Sequence, residues 1–213
     1  MKNVIILGAG GTGRDIVGFL EEINSADPTY ECIGFLDDDP AKLGRKIAGI
    51  PVLGPLDNAL QNDETVVFDC LGGPGSYGER ERIIAELLVP DGLFEPLVHP
   101  TAVVAPTSTI GSGCIVYPFT MIGPDASLGE HVIVLSHSVV HHDSIIGGYS
   151  LIASGCNISG NVQVGRACYL GAGCSIREGI QVGDGALVGM GSVVVADVAP
   201  GTVVAGNPAR TLG

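Results

Sequence analysis

Two segments of this chain contain residues whose types and spacing could do chemistry. The first is the loop Gly8-Ala9-Gly10-Gly11-Thr12-Gly13-Arg14, which follows an apolar segment. The second is Val140-His141-His142-Asp143-Ser144, in which an imidazole is followed directly by a carboxylate. A glycine-rich loop before a helix can offer free backbone amides to phosphate oxygens. A histidine held by an acid can act as a general base.

The glycine loop has the spacing G-x-G-x-x-G at Gly8, Gly10 and Gly13, and Asp37 lies 24 residues beyond the last of them. This spacing is typical of domains that bind dinucleotides. Only about 60 residues separate Asp37 from the repeat described below, too few for the second half of a full dinucleotide fold. The pattern therefore favours a half-sized domain that binds one nucleotide diphosphate, with Asp37 or Asp38 accepting hydrogen bonds from a base or ribose. A nicotinamide site and a glycine turn without any ligand are the alternatives.

The second segment, residues 140–144, lies within a six-residue repeat, and this repeat predicts the strands that position it. An aliphatic residue recurs at every sixth position of the C-terminal half, and the register never slips. These positions are Val98, Val104, Ile110, Val116, Ile122, Leu128, Val134, Val140, Ile146, Ile152, Ile158, Val164, Leu170, Ile176, Val182, Val188 and Val194. Such a period is typical of a solenoid, in which each unit buries its apolar side chain only by stacking on its neighbours.

Small side chains mostly occupy the position four residues after each aliphatic one. They are Ala102, Ser108, Cys114, Thr120, Ala126, Ser138, Ser144, Ser150, Cys156, Cys168, Cys174, Ala186 and Ser192. Each six-residue unit thus contains one large aliphatic and one compact residue. This pattern predicts a left-handed parallel β-helix of triangular section, in which each unit forms one side. Three sides make a coil of 18 residues, so residue n should lie directly beneath residue n+18.

This coil predicts the surroundings of His142. The residues below and above it are Pro124 and Gly160, and stacked strands are about 4.8 Å apart. Glycine at position 160 should leave open space over the imidazole. Asp143 should lie at a corner of the coil, where its carboxylate could orient the ring. The alternative is a solvated corner without a catalytic role.

A metal site is a competing interpretation of the histidines. The γ-class carbonic anhydrases share this coil and bind zinc with histidines from adjacent subunits, which requires three neutral imidazoles. His137 and His142 are five residues apart. His99, the third candidate, lies about 10 Å below His142 along the coil axis, and a zinc enzyme would leave the N-terminal domain unexplained. No metal is therefore expected.

The N-terminal part alternates strands and helices, which predicts a small parallel α/β domain. Strands are expected at Asn3–Leu7, Cys32–Leu36 and Thr65–Leu71, and helices at Asp15–Ile23 and Arg80–Leu88. We expect this domain to comprise residues 1–95 and the β-helix residues 96–213. Residues 205–210 should form an irregular cap on the last coil.

The composition limits the partners of the protein. The net charge is −13; residues 1–97 contain 17 acidic and 7 basic residues, and residues 98–213 contain 6 and 3. A basic surface for nucleic acid or a membrane is therefore not expected, and the charge-poor coil suggests faces covered by other subunits. No apolar run reaches transmembrane length, and no signal peptide is recognised, so a cytoplasmic protein is expected. The six cysteines are expected to be reduced, and four of them lie at core positions of the coil.

Three segments together resemble the bacterial nucleotide-amino-sugar N-acetyltransferases, a group that includes bacillosamine- and perosamine-pathway enzymes and the related sialic-acid O-acetyltransferases. The glycine loop with Phe35-Leu36-Asp37-Asp38 is similar to the family's sugar-nucleotide loop and acidic pair. The segment 140–147 is similar to the part that contains the family's proposed base and a following acid. Val204-Ala205-Gly206-Asn207-Pro208-Ala209-Arg210 is similar to the usual end of hexapeptide transferases.

The resemblance implies a role for each matching residue. His142 would be the catalytic base and Asp143 its orienting acid. The contacts to the sugar nucleotide would be Gly10, Gly11, Thr12, Asp37, Asp38 and Gly72. The family binds acetyl-CoA between neighbouring coils of a homotrimer, which implies backbone contacts at Gly160, Ala172 and Gly189.

Two positions depart from some relatives. Leu135 stands where some have an asparagine near the substrate amine, and Leu151 stands where some have a histidine at the thioester carbonyl. These departures affect the expected sugar preference and the oxyanion contact. Arg177 or Arg210 could contact the phosphates of CoA, and the alternative is that both are solvated surface charges.

The resemblance thus implies an acetyl-CoA-dependent N-acetyltransferase. Its acceptor would be the amino group of a nucleotide-linked, 4-amino-dideoxy type of sugar, for bacterial surface glycan synthesis. The alternatives are an O-acetyltransferase acting on a sugar such as sialic acid, the zinc enzyme considered above, and a non-catalytic nucleotide-binding scaffold. The nucleotide, the sugar and the ring position are not predicted.

Overall fold

The computed structural model describes residues 1–58, 65–73 and 75–212, which fold as two compact units. One unit comprises Met1–Gly72 and Arg82–Glu95, and the other comprises Gly73–Glu81 and Pro96–Gly213. The first is an α/β unit and the second contains the coil. The assignment of nucleotide binding to one part and acyl transfer to the other stays a prediction.

The first unit contains a sheet whose strands are ordered β3-β4-β2-β1-β5. Only the β3–β4 pair is antiparallel. The strands are β1 (Lys2–Leu7), β2 (Tyr30–Leu36), β3 (Lys46–Ile47), β4 (Ile50–Gly54) and β5 (Thr65–Asp69), and the helices are α1 (Gly11–Ala26) and, across the unit boundary, α2 (Arg80–Glu86). Within β1, Val4–Leu7 form a continuous apolar run, because a parallel strand in the middle of a sheet is buried on both faces.

The predicted elements of this unit are present with shifted ends. Helix α1 begins within the glycine loop, and its buried side is formed by the predicted Ile16, Val17, Phe19 and Leu20. The hairpin β3–β4 was not predicted. Its two turn residues, Ala48 and Gly49, both have left-handed backbone angles, with φ of 49° and 80°. Such turns usually begin with Asn, Asp or Gly, so alanine gives a weak signal.

The second unit is a left-handed parallel β-helix built from two-residue strands that form three sheets, with a hairpin at its end. The first sheet contains β7 (Val103–Val104), β10 (Met121–Ile122), β13 (Val139–Val140), β16 (Asn157–Ile158), β19 (Ser175–Ile176) and β22 (Val193–Val194). The second contains β8 (Thr109–Ile110), β11 (Ser127–Leu128), β14 (Ile145–Ile146), β17 (Gln163–Val164) and β20 (Gln181–Val182). The third contains β6 (Leu97–Val98), β9 (Ile115–Val116), β12 (Ile133–Val134), β15 (Leu151–Ile152), β18 (Tyr169–Leu170), β21 (Leu187–Val188), β23 (Val203–Gly206) and β24 (Ala209–Thr211).

The predicted register of the coil is confirmed. Val140 pairs with Ile122 on one side and with Ile158 on the other, which is a step of 18 residues. The repeated aliphatic residues are the second residues of these strands and fill the interior together with the small residues. Each coil therefore covers the apolar side chains of its neighbours.

From Gly113 to Gly191, each corner of the coil is closed by one residue with left-handed backbone angles. Such residues recur every six positions, and glycine is replaced by another residue at several of them, including His137 with a φ of 63° and Asp143 with a φ of 58°. Asp, Asn and His tolerate this region better than most residues. The six-residue period thus sets the corners as well as the core.

The predicted irregular cap is wrong. The last coil is two residues shorter, since Val182 pairs with Val198 and Leu187 with Val203. The chain then continues β23 into an antiparallel hairpin with β24. Stacking on the preceding coil supplies the hydrogen bonds for this regular ending.

The cysteines at core positions of the coil are buried, as predicted. Cys114, Cys156, Cys168 and Cys174 are at most 1% exposed, and all six cysteines are free thiols. Burial raises the pKa of Cys114 to about 12.

Among the described residues, no helix has both the length and the apolar character needed to span a membrane.

Candidate functional site

The glycine loop forms the turn between β1 and α1. Gly8 has a φ of 91°, and a side chain at Gly13 would collide with the carbonyl of Gly8, so these two glycines allow the sharp turn and the close packing. Gly10 and Gly11 are exposed, with no atom within 4 Å of an added Cβ. Gly10 caps α1, which has no side-chain cap and no acid in its first turn. The first amides of the helix are therefore available to an anion.

Asp37 holds this loop in place. Its Oδ2 accepts hydrogen bonds from the Ala9 amide at 2.7 Å and from Lys42 Nζ at 2.8 Å. Its Oδ1 accepts one from the Asp39 amide. Burial alone would raise the pKa of the Asp37 carboxyl, but the hydrogen bonds from Lys42, Asp39 and Ala9 lower it below its usual value.

These contacts change the expected roles of the acidic pair. Asp37 was expected to accept from a base or ribose, yet both of its oxygens already bind groups of the protein. Asp38 is exposed, and its Oδ1 accepts a hydrogen bond from the Leu56 amide. Asp38 retains more free acceptor capacity than Asp37.

Asp38 also lines a cleft of about 450 Å³ in the first unit. The other lining residues are Pro55, Leu56, Asp57, Arg82, Ile83, Glu86 and Leu87. A volume of this order is usual for small-molecule sites. Thr12 is half-buried in the first turn of α1, and Gly72 is exposed with a φ of 98°. The structure thus places most of the predicted sugar-nucleotide contacts on the loops after β1, β2 and β5.

His142 and Asp143 form a hydrogen-bonded pair at a corner of the coil. The distance from His142 Nδ1 to Asp143 Oδ2 is 2.7 Å, and the two side chains are 52% and 51% exposed. We name this edge, which contains residues 123–125, 141–143, 159–161 and 177–179, the His142 corner. The left-handed backbone at Asp143 turns its carboxylate back beside the ring of the preceding residue. The other ring nitrogen, Nε2, is left for a substrate.

The predicted open space above His142 is occupied by the imidazole itself. A Cβ added to Gly160 would lie 2.6 Å from His142 Cε1 and 2.7 Å from Nε2. The ring therefore leans against the backbone of the next coil. In the described part of the chain, no protein acceptor takes the Gly160 amide proton. A hydrogen-bond donor thus lies beside the predicted base without a partner among the described residues, which suits stabilisation of an oxyanion.

Ala172 and Gly189 lie on a different edge of the coil. We name it the Ala172 corner; it contains residues 117–119, 135–137, 153–155, 171–173 and 189–191. At Gly173 and Gly191 an added Cβ would meet nothing within 4 Å, and the side chain of Met190 on the same corner is 80% exposed. One chain therefore brings Gly160 next to His142 but leaves Ala172 and Gly189 elsewhere.

The remaining histidines have other contacts. His137 lies on the Ala172 corner, where its ring stacks on Phe119 with centroids 5.2 Å apart. His99 is 2% exposed, and its Nδ1 lies 2.9 Å from Thr101 Oγ1. Within residues 1–58, 65–73 and 75–212, no group of three or more His, Cys, Asp or Glu side chains is placed to hold a metal ion. His99, His137 and His142 are thus not brought together within one chain.

The departures from relatives lie away from the His142 corner. Leu135 is half-buried on the Ala172 corner, and Leu151 is 6% exposed on the third sheet. Arg177 is exposed on the His142 corner, two coils above His141, and Arg210 is exposed on β24. Arg177 is therefore the arginine that shares an edge with the predicted base.

A third edge of the coil contains a cluster that the sequence did not reveal. Arg80 is fully buried, and its two Nη atoms donate to the carbonyls of Tyr149 and His131, each at 2.9 Å. Arg166 bridges Glu130 at 2.8 Å and Glu81 at 2.6 Å. These contacts fix residues 77–81 to the coil. A buried arginine at the start of an amphipathic helix has the same sequence pattern as a solvated one.

Both halves of the chain match profiles of known protein families. The profile of the PglD N-terminal domain matches residues 3–87, and the profile described as bacterial transferase hexapeptide (six repeats) matches residues 161–196. A comparison with curated proteins gives no significant match.

Solved structures are similar over the whole chain. The acetyltransferase domain of PglB from Neisseria gonorrhoeae FA1090 is 31% identical, with 100% of both chains covered and a TM-score of 0.85. WeeI from Acinetobacter baumannii AYE is 28% identical, with 100% of both chains covered and a TM-score of 0.84. PerB from Caulobacter crescentus, in complex with CoA and GDP-perosamine, is 27% identical, covers 100% of this chain and 98% of that chain, and has a TM-score of 0.84.

This chain is more than 30% identical to the acetyltransferase domain of PglB over the full length of both chains. The matching region includes both the glycine loop and the hexapeptide coil, each of which also matches a family profile. This chain belongs to the nucleotide-amino-sugar N-acetyltransferases of the hexapeptide-repeat acyltransferase superfamily.

Proposed function

We propose that this protein transfers the acetyl group of acetyl-CoA to the amino group of a nucleotide-linked amino sugar. The observation that carries the proposal is the His142–Asp143 pair, with its 2.7 Å hydrogen bond, beside the backbone of Gly160. The related PglB domain has been solved with acetyl coenzyme A, and PerB with CoA and GDP-perosamine. The ligands of these relatives support the same two substrates here.

The His142–Asp143 geometry defines the direction of proton transfer. When Nδ1–H of His142 donates to Asp143, Nε2 has a free lone pair and can accept a proton from the attacking amine. The amine nitrogen forms a bond to the thioester carbon, the C–S bond breaks, and CoA leaves as the thiol after taking up a proton. The Gly160 amide would stabilise the oxyanion formed in between.

The nucleotide part would bind at the loop of the first unit. The exposed Gly10 and Gly11, with the uncapped N-terminus of α1, offer amides to phosphates. Asp38 would contact the base or ribose, because it lines the cleft and retains free acceptor capacity. Asp37 would act indirectly, because its hydrogen bonds hold the glycine loop in the position that binds the phosphates.

We also propose a homotrimer with acetyl-CoA bound between subunits. Gly160 and Ala172 occupy different corners of one chain, so contacts to the same CoA need the Ala172 corner of a neighbour. The coil exposes apolar side chains that such contacts would cover: Val103 is 66% exposed, Phe119 61% and Met121 40%. Arg177 would then be the candidate partner of a CoA phosphate.

A cytoplasmic location is proposed from the thiols. All six cysteines are free, and Cys156 and Cys174 remain so with sulfur atoms 3.5 Å apart. Free cysteines are typical of a reducing compartment. Acetylated nucleotide sugars made there would serve bacterial surface glycan synthesis.

A substrate screen tests the proposal. UDP-, GDP- and dTDP-linked amino sugars are incubated with acetyl-CoA while free thiol release is followed, and the product is analysed for an amide. We expect acceptor-dependent thiol release with one nucleotide class and no release with the matching 4-hydroxy sugar. Faster transfer to the hydroxyl would favour the O-acetyltransferase, and no transfer to any acceptor would reject the proposal.

A further inference from the structure

We propose that Lys42 is a phosphate-binding residue of the nucleotide site; this inference rests on the proposed function. No pattern in the sequence distinguishes Lys42 from the nearby Arg45 and Lys46. The structure places its ammonium group beside the glycine loop, where it can neutralise a diphosphate.

The position of the ammonium group follows from one shared oxygen. Asp37 Oδ2 accepts from the Ala9 amide at 2.7 Å and from Lys42 Nζ at 2.8 Å. Lys42 Nζ is therefore no more than 5.5 Å from the Ala9 nitrogen. Ala9 directly precedes the exposed Gly10, so the ammonium and the open end of α1 border the same small region.

The loop after β2 holds Lys42 in this place. The Ala41 amide donates to Asp39 Oδ1 at 2.9 Å, and the Lys42 amide donates to the Asp39 carbonyl at 2.9 Å. The Arg45 amide donates in turn to the Lys42 carbonyl at 3.0 Å. This turn directs the lysine back toward Asp37. The same loop does not place Lys46 near the glycine loop, since Lys46 begins β3 at the edge of the sheet.

The ammonium group retains donors for a ligand. An ammonium has three N–H groups, and Asp37 is the only acceptor that Lys42 Nζ binds among the residues that the structure describes. The side chain is 31% exposed, so a ligand can reach it from solvent.

The surrounding negative charge gives a cation at this position a role in binding a diphosphate. Asp37, Asp38 and Asp39 form a run of three acids next to the glycine loop, in a region with 17 acidic and 7 basic residues among positions 1–97. A diphosphate brought next to these carboxylates would be repelled. Lys42 offsets the charge of Asp37, and removing it would leave that charge facing the phosphates.

The test measures phosphate recognition separately from the rest of the ligand. Binding of UDP, GDP and dTDP to wild type, Lys42→Met and Lys42→Arg is measured by calorimetry, and the matching nucleosides are measured as competitors. The matched control is Lys46→Met, which removes an exposed lysine four residues away.

For Lys42→Met we expect the Kd of the preferred nucleoside diphosphate to rise about 10- to 100-fold. Lys42→Arg should recover part of the affinity, and Lys46→Met should bind like wild type. The nucleoside's affinity and the KM of acetyl-CoA should not change, because neither contact involves Lys42.

Two results would overturn the inference. Unchanged diphosphate affinity in Lys42→Met would show that the lysine serves Asp37 alone. An equal loss for nucleoside and diphosphate would show that it only shapes the loop. If wild type binds no UDP, GDP or dTDP compound at all, the proposed function fails first, and that outcome is visible before any variant is made.

Discussion

At the scale of single residues, the placement of His142 depends on the missing side chain of Gly160. An added Cβ would lie within 2.6 Å of the ring, closer than carbon atoms approach each other without displacement. The surrounding coil is fixed by its ladder of hydrogen bonds, so the imidazole would have to move. The geometry of the His142–Asp143 pair is thus set both by the coil that contains the pair and by the next coil, which contains Gly160.

Gly160→Ala should therefore impair catalysis while leaving the fold intact. We expect kcat to fall about tenfold or more, since a displaced base loses its alignment with the substrate. The KM for the sugar nucleotide should change little. A suitable control is Gly18→Ala in α1, where an added Cβ meets no atom within 4 Å. Wild-type kcat in Gly160→Ala would mean that the position of the ring is unimportant.

Single residues also show where sequence reasoning fails. The adjacency of His142 and Asp143, and the corner between them, could be predicted from the six-residue period. The role of Asp37 could not, because its partners Ala9 and Lys42 are brought to it by the loops after β1 and β2. An acid that binds a ligand and an acid that holds a loop are identical in sequence.

At the scale of elements, the coil is stabilised by alternation between inward and outward side chains. Ile146 is fully buried in the core, and the adjacent Ile145 is 50% exposed on the second sheet. These two residues have the same side chain in the same strand, β14. They isolate the contribution of burial.

Ile146→Ala should lower the free energy of unfolding by about 2–5 kcal/mol, because it leaves a cavity in the closely packed interior. Ile145→Ala should cost about 0.5 kcal/mol or less, as is usual for exposed positions. Chemical denaturation of both variants at the same protein concentration measures the difference. Equal costs would contradict the inward orientation of Ile146.

The elements were predictable where a period repeats and unpredictable where it does not. Seventeen aliphatic positions in one register fix the sheets and the core. The hairpin β3–β4 rests on the single turn Ala48-Gly49, and the hairpin β23–β24 follows a coil shortened by two residues. A local signal of one or two residues does not determine such pairings.

At the scale of the whole molecule, the proposed trimer makes a prediction about mixed subunits. His142→Ala disables the His142 corner, and Ala172→Trp blocks the Ala172 corner by adding a large side chain at an exposed position. Each variant should be inactive alone. Mixed trimers would contain sites that combine the intact corner of one subunit with the intact corner of another.

Unfolding and refolding the two variants together should therefore restore part of the wild-type activity. The control is a mixture of His142→Ala with Gly160→Ala, whose defects lie on the same corner, so no intact site can form. Sedimentation of the mixtures confirms the oligomeric state. Restored activity only in the first mixture supports a shared site, and no restoration would place the whole site within one chain.

The most direct test of acetyl transfer at the His142 corner compares His142→Ala with His141→Ala. Acceptor-dependent release of CoA thiol is measured with the preferred nucleotide amino sugar at saturating acetyl-CoA. We expect His142→Ala to lose about 10²–10⁴-fold in kcat, the usual effect of removing a general base, while His141→Ala stays within about threefold of wild type. A His142→Ala enzyme that forms the acetylated sugar at the wild-type rate would contradict a catalytic role for this pair.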